Sequence, residues 1–171
     1  MRNLFLVHLA ALVLASTSAR AQVAQAEPTL EELLSGRGWV AVQLRENAFS
    51  QLEADIVVDG EHELRVQIST SFSKTIFDQA VAEKLGLEIE RTNIEITGRG
   101  GKQTLGSVAL RSLAFEETKV GAFTIFTAEL EQLVSRGEGT EPIEAVIGSD
   151  FLTKYQAVLE IPTSKLYLRV N

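Results

Sequence analysis

Two runs of alternating apolar residues, joined by Asp59-Gly60, constrain this chain more than any other feature of it. The first is Leu52-Glu53-Ala54-Asp55-Ile56-Val57-Val58, and the second is Glu61-His62-Glu63-Leu64-Arg65-Val66-Gln67-Ile68. Residues two apart along a strand share a face, so Leu64, Val66 and Ile68 line one side while Glu63, Arg65 and Gln67 line the other. An Asp-Gly pair between such runs favours a type I′ turn, because glycine accepts positive φ without a Cβ clash. The pattern predicts a β-hairpin, with a second strand that ends in the hydroxyl-rich stretch Ser69-Thr70-Ser71-Phe72-Ser73.

Further strands are expected over Trp39 to Leu44, Ile89 to Thr97, Gln103 to Phe115 and Val120 to Phe126. Near the end, Ala157 to Ile161 and Leu166 to Leu168 flank the turn Pro162-Thr163-Ser164-Lys165. Gly98-Arg99-Gly100-Gly101 reads as a flexible connection, and Gly137 to Pro142 as an exposed acidic loop. Helical signals are brief. Thr29 and Glu32 have capping-box spacing ahead of a short helix that Gly36 or Gly38 could stop. Phe77, Val81 and Leu85 recur at i, i+4, i+8, which predicts a helix from Ile76 to Leu85, with Asp78 as its N-cap and Gly86 as an αL stop. Leu130 to Val134 and Phe151 to Lys154 suit short helices, the latter capped by Asp150. Many short strands with few helices indicate a single, mainly β domain. A length of 171 residues suffices for one ordinary core.

The N-terminus carries different information. Arg2 precedes the apolar run Leu4 to Leu14, which is short for a bilayer span, and Ala19-Arg20-Ala21 forms an A-x-A cleavage signal. Ala24-Gln25-Ala26 is a second cleavage site, and an uncleaved anchor is the alternative reading. The expected division is residues 1–21 as signal peptide (as late as 26), 22–38 as an N-terminal segment with a short helix, and 39–171 as the β domain. Export to the periplasm or outside the cell is expected, with no stable membrane span once the leader is removed. The chain has no cysteine, which removes thiol catalysis, thiolate metal sites and lipid attachment at a cysteine. Losing Arg2 and Arg20 deepens the formal charge of −7 by two. Such a field repels phosphate backbones, so nucleic acid is not an expected partner.

From Trp39 to Val170 three segments, in order, resemble the retropepsin-like single-lobe aspartic proteases of bacterial exported type. The first is the hairpin leading into Ile68-Ser69-Thr70-Ser71-Phe72-Ser73, then Thr75-Ile76-Phe77-Asp78 and Leu85-Gly86-Leu87. The second is Ile94 to Val108, with its Gly-rich tip, where that family has a flap hairpin. The third is Val146-Ile147-Gly148-Ser149-Asp150-Phe151-Leu152, close to an apolar-apolar-Gly-x-Asp-Phe-Leu pattern in which Ile147, Gly148 and Asp150 are structural. The resemblance implies a single-lobe acid-protease fold: a closed β-barrel with one or two short helices and a flap hairpin. It implies a cleft bordered by Phe72, Ser73, Gly98, Arg99, Gly100 and Gly101. It also implies pairing of two chains, since each single-lobe member supplies one aspartate to a dyad that shares a proton.

In that alignment the family's catalytic Asp falls on Ser69, its Thr on Thr70 and its Gly on Ser71, while Phe72 takes the place of a small residue. A hydroxyl stays neutral and cannot accept a proton from water as a general base. No substitute is evident in the sequence. Asp78 and Asp150 have capping roles, and Asp59 belongs to its turn. A serine triad would need a histidine, and His62, the one histidine left after leader removal, lies just past a tight turn with no Gly-x-Ser-x-Gly elbow. In Glu61-His62-Glu63 only the two glutamates share a face, which argues against metal binding. Gly98 to Gly101 lacks the Lys-Ser/Thr of a phosphate loop. No cofactor or metal is expected. The expected function is a catalytically inactive domain that binds an extended peptide or protein partner in its cleft. The alternatives are an aspartic-type endopeptidase acting as a homodimer with an atypical site, and a structural dimer module.

Overall fold

The computed structural model describes residues 27–134 and 142–170; the expected leader with its cleavage sites, and the acidic loop from Gly137 to Glu141, lie outside them. In chain order the elements are α1 (Leu30–Ser35), β1 (Trp39–Gln43), β2 (Arg45–Glu46), β3 (Leu52–Val58), β4 (His62–Ile68), β5 (Ile76–Asp78) and α2 (Gln79–Lys84). They continue with β6 (Glu90–Gly98), β7 (Gly101–Phe115), β8 (Thr118–Ala128), α3 (Leu130–Leu133), β9 (Ala145–Ile147), α4 (Ser149–Lys154), β10 (Val158–Glu160) and β11 (Lys165–Arg169). Thr29 makes the expected capping box with Glu32, and Gly36 is the C-cap of α1.

β3 and β4 form the hairpin that the alternation predicts. Asp59 (φ 53°) and Gly60 (φ 80°) both occupy the left-handed region, and Glu61 N–H donates to the Val58 carbonyl. Pairing resumes at His62 opposite Val58, so Glu61 joins the connection instead of starting the strand. Asp59 has a second role. Its Oδ1 accepts from the backbone N–H groups of Arg111 and Ser112, and its own N–H donates to the Ser112 carbonyl. The turn is thereby pinned to β7.

One sheet runs β2-β3-β4-β9-β5-β8-β7-β6, and a further pairing of β3 with β7 closes the strands from β3 to β7 into a ring, leaving β2 and β6 outside it. Within the ring β4 pairs with β9, and β5 with β8, in parallel; the other contacts are antiparallel. The strands β5 and β9 are buried on both faces. Phe77, Ala145 and Ile147 point into the main core, while their neighbours Ile76 and Val146 belong to a second apolar cluster with Leu105, Ala128, Leu130 and Ile143. This corrects the helix expected from Ile76 to Leu85. Ile76 to Asp78 is a strand, and the helix begins at Gln79. A short segment wedged between two strands is apolar on both sides, and its spacing with Val81 and Leu85 imitates a helical face. The ends fit the expectation: Asp78 caps α2 by accepting from Ala80 N–H, and Gly86 has φ 68°.

A smaller sheet orders β1-β11-β10. In it Tyr167, almost wholly buried, donates its hydroxyl to Glu160 Oε2 at 2.9 Å. Burial, reinforced by that carboxylate, pushes the phenol up to about 12. The fold thus favours neutral Tyr167, and this stability is complete below the unfolded value near 10. It drains away as pH rises from there towards 12. Thermal unfolding between pH 9 and 11.5 should show a steeper alkaline loss in the native protein than in Tyr167→Phe.

Candidate functional site

The site is built where two chain crossings meet: β4 running into residues 69–75, and β9 running through Gly148 into α4. Ser69 N–H donates to the Ile147 carbonyl at 3.0 Å, extending the parallel β4–β9 ladder by one bond. The chain then wraps around Gly148. A Cβ at that glycine would lie 2.3 Å from the Lys74 carbonyl oxygen and 2.9 Å from that of Phe72, so only glycine fits. Ser149 N–H donates to the Phe72 carbonyl at 2.8 Å.

Thr75 is the fastener of this arrangement. Its side chain is fully buried, its Oγ1 accepts from Gly148 N–H at 3.1 Å, and its hydroxyl donates to Asp150 Oδ1 at 2.8 Å. Asp150 also accepts from Phe151 N–H. The expectation that Asp150 caps α4 is corrected: the N-cap is Gly148, and Asp150 sits in the first turn, where a carboxylate favours the helix dipole and holds Thr75. Asp78 is similarly engaged, its Oδ2 accepting from Leu130 N–H at 3.1 Å. Sequence reasoning quoted Thr75 without giving it a role. Thr75→Val keeps the shape but leaves Gly148 N–H buried and unpaired and takes a donor from Asp150. A loss of about 2–3 kcal/mol in urea unfolding is expected, with Thr75→Ser recovering most of it.

The turn itself presents hydroxyls. Ser69 is half-buried, Thr70 and Ser71 are exposed, and the Ser69 and Ser71 Oγ atoms stand 2.9 Å apart in a hydrogen bond. Phe72 turns from them into the second apolar cluster, beside Ile96 of β6, Phe126, Leu133 and Val134. Ser73 is exposed, and the Lys74 ammonium sits 5.3 Å over the Phe126 ring. His62 lies at the start of β4, at the opposite end of that strand from these serines. Among the described residues no group of His, Asp and Glu is arranged to hold a metal ion.

The hairpin of β6 and β7 closes at a tight turn, Arg99-Gly100, with Gly98 paired to Gly101. The connection expected there is a two-residue turn whose tip rests against α3. Gly100 N–H donates to the Gln132 carbonyl of α3 at 2.9 Å. The Gln103 amide exchanges two hydrogen bonds with the Glu129 backbone, at 3.2 and 3.0 Å. Sequence reasoning found both segments but not their contact, which only the fold brings about.

The order of these parts, a closed ring, a hydroxyl turn, a glycine-centred crossing and a hairpin beyond it, can be compared with solved structures. The chain matches a retropepsin-like aspartic protease from Rickettsia conorii with a TM-score of 0.51 and 14% identity, covering 77% of this chain and 90% of that one. It matches EIAV protease, solved in complex with the inhibitor HBY-793, with a TM-score of 0.50 and 15% identity, covering 68% and 98%. The fold is retropepsin-like. No protein-family model and no curated protein matches the sequence. At this identity the likeness extends to the retropepsin-like frame and stops short of its chemistry. In this retropepsin-like chain both aspartates beside the turn, Asp78 and Asp150, already accept backbone or threonine donors.

Proposed function

We propose that this chain is an exported, non-catalytic retropepsin-like domain that holds an extended peptide or protein segment in its cleft. One observation carries the reading: residues 69–75 contain no carboxylate, and Ser69, where the resemblance would put this chain's one aspartate, shares its hydroxyl in a hydrogen bond with Ser71. Serine hydroxyls do not take up a proton from water near neutral pH, so the general-base step has no agent in this turn. A cleft with a strand hairpin beside it can still hold an extended chain through backbone pairing. The leader-like N-terminus and the absence of cysteine support export without disulfides.

The test is direct. Purified protein lacking residues 1–21 should leave fluorescein-labelled, unfolded casein intact from pH 3 to 8 and should bind it in fluorescence anisotropy. Pepstatin-sensitive cleavage by clean protein would replace this reading with that of an atypical aspartic endopeptidase. Neither cleavage nor binding would favour a structural module, and sedimentation at several concentrations would then show whether it pairs with a second copy.

A further inference from the structure

Three neighbouring strands carry a row of directly opposed residues: Arg91 on β6 pairs with Gly106 on β7, and Gly106 pairs with Thr127 on β8. Cross-strand partners project to the same side of a sheet, so Arg91 and Thr127 flank a position with no side chain. A Cβ at Gly106 would stand 2.4 Å from Thr127 Oγ1 and 2.5 Å from Ile89 Cγ2. The threonine hydroxyl therefore points into the space that a side chain on Gly106 would fill. Around this gap lies a pocket of about 460 Å³, bordered across from the strands by Gln79 and Glu83 of α2. That size lies in the range of small-ligand sites.

Thr127 is the residue that calls for a ligand. It is 1% exposed, and its Oγ1 has no hydrogen-bond partner among the described residues. Leaving a buried hydroxyl unpaired costs free energy, and most buried polar groups avoid it. The neighbouring hydroxyl of Thr92 is already engaged, donating to the Leu105 carbonyl at 2.6 Å and accepting from Ile94 N–H. At the rim, Arg91 is exposed, and its guanidinium makes no ion pair or hydrogen bond with another described residue. On the facing helix the Gln79 amide donates to Glu83 Oε1 at 2.8 Å, which steadies that carboxylate. Ile89 and Leu105 give the pocket its apolar side.

We propose that this pocket binds a free α-amino acid with an aliphatic side chain. Arg91 and the Thr127 hydroxyl donate to its carboxylate, Glu83 accepts from its ammonium, and Ile89 and Leu105 flank its side chain. A lone anion would meet the charge of Glu83, and a lone cation that of Arg91. A ligand carrying both charges answers both sides and gives the buried hydroxyl its missing partner. Residues 69–75 do not line this pocket, so it can be filled whether or not the cleft holds a peptide.

Free leucine is the probe, titrated into the isotope-labelled chain and followed by amide NMR. Saturable shifts should centre on Arg91, Gly106 and Thr127. Isocaproate, which lacks the ammonium, and isoamylamine, which lacks the carboxylate, should each bind about tenfold more weakly. Arg91→Ala should weaken leucine binding about tenfold, and Thr127→Val about fivefold. Arg91 is exposed, so its variant should melt with the native chain. Thr127→Val keeps the shape and removes a hydroxyl without a partner, so the ligand-free variant should melt at the same or a higher temperature. No saturable shift up to about 10 mM leucine would overturn the site. Equal binding of the three probes would overturn the recognition of paired charges. Undiminished binding by both variants would place leucine elsewhere and overturn the assignment. A lower melting temperature for Thr127→Val would mean that the hydroxyl is already satisfied, and would overturn its role.

Discussion

Gly148→Ala should destabilise this protein by about 4 kcal/mol, a large part of what a domain of this size possesses. The cause is space and not backbone conformation, since Gly148 has φ −97° and ψ −179°, which any residue can adopt. Its Cβ would meet the Lys74 carbonyl at 2.3 Å for the oxygen and 2.5 Å for the carbon. Both are backbone atoms and cannot swing aside as a side-chain end could. Pushing residues 72–75 away would also break the bonds from Gly148 N–H to Thr75 and from Ser149 N–H to the Phe72 carbonyl. Gly36→Ala is the control: that glycine has φ −65° and its Cβ would find its nearest neighbour at 3.9 Å. There the same change should be neutral or gain a few tenths of a kcal/mol by restricting the unfolded chain. Chemical unfolding of the two variants should therefore move in opposite directions. Similar midpoints would mean that the crossing at Gly148 is looser than it looks.

Phe151→Ala should cost about 3–5 kcal/mol. Phe151 is fully buried and is the hub of an aromatic group, with ring centroids 5.7 Å from Phe115, 5.2 Å from Phe123 and 4.6 Å from Tyr155. The Phe123 contact is edge-to-face, the arrangement favoured by ring quadrupoles. Truncation leaves a void lined by rings that cannot collapse, because Tyr155 is fixed by its hydroxyl bond to the Val120 carbonyl. Phe151→Leu should cost roughly half as much, since most of the volume remains. A loss below about 1.5 kcal/mol for the alanine variant would show that the aromatic group repacks freely. Because Phe151 follows Asp150 in α4, this variant also tests whether the Thr75–Asp150 bond survives when its helix loses its seat.

The hairpin of β3 and β4 was legible because one face is wet and the other dry, which writes its period into the residues. The capping roles of Thr29 and Asp78 were legible too, since they are local chemistry. Ile76 to Asp78 misled because β5 is apolar on both faces, leaving no alternation to read. Thr75 gave no signal of its own: its partners lie at Gly148 and Asp150, and threonine before an apolar pair is common. The tip at Arg99-Gly100 reads as flexible from its glycines alone, and only the position of α3 shows that those glycines serve close contact. In the candidate site, the lack of a carboxylate in residues 69–75 was plain in the sequence, while the hydrogen bond between Ser69 and Ser71 needed coordinates.

The pairing of β1 with β11 has a consequence in time. The first strand of the domain finds its place only beside the last, and Trp39 lies opposite Arg169. The ring likewise waits for β9, which must slot between β4 and β5. Synthesis must therefore reach β9 before the ring can close and β11 before the smaller sheet can form, so completing the fold is a late event. Contacts of such long sequence separation slow that event. During the delay the unpaired edges of β1, β4 and β5 stay open to pairing with another chain.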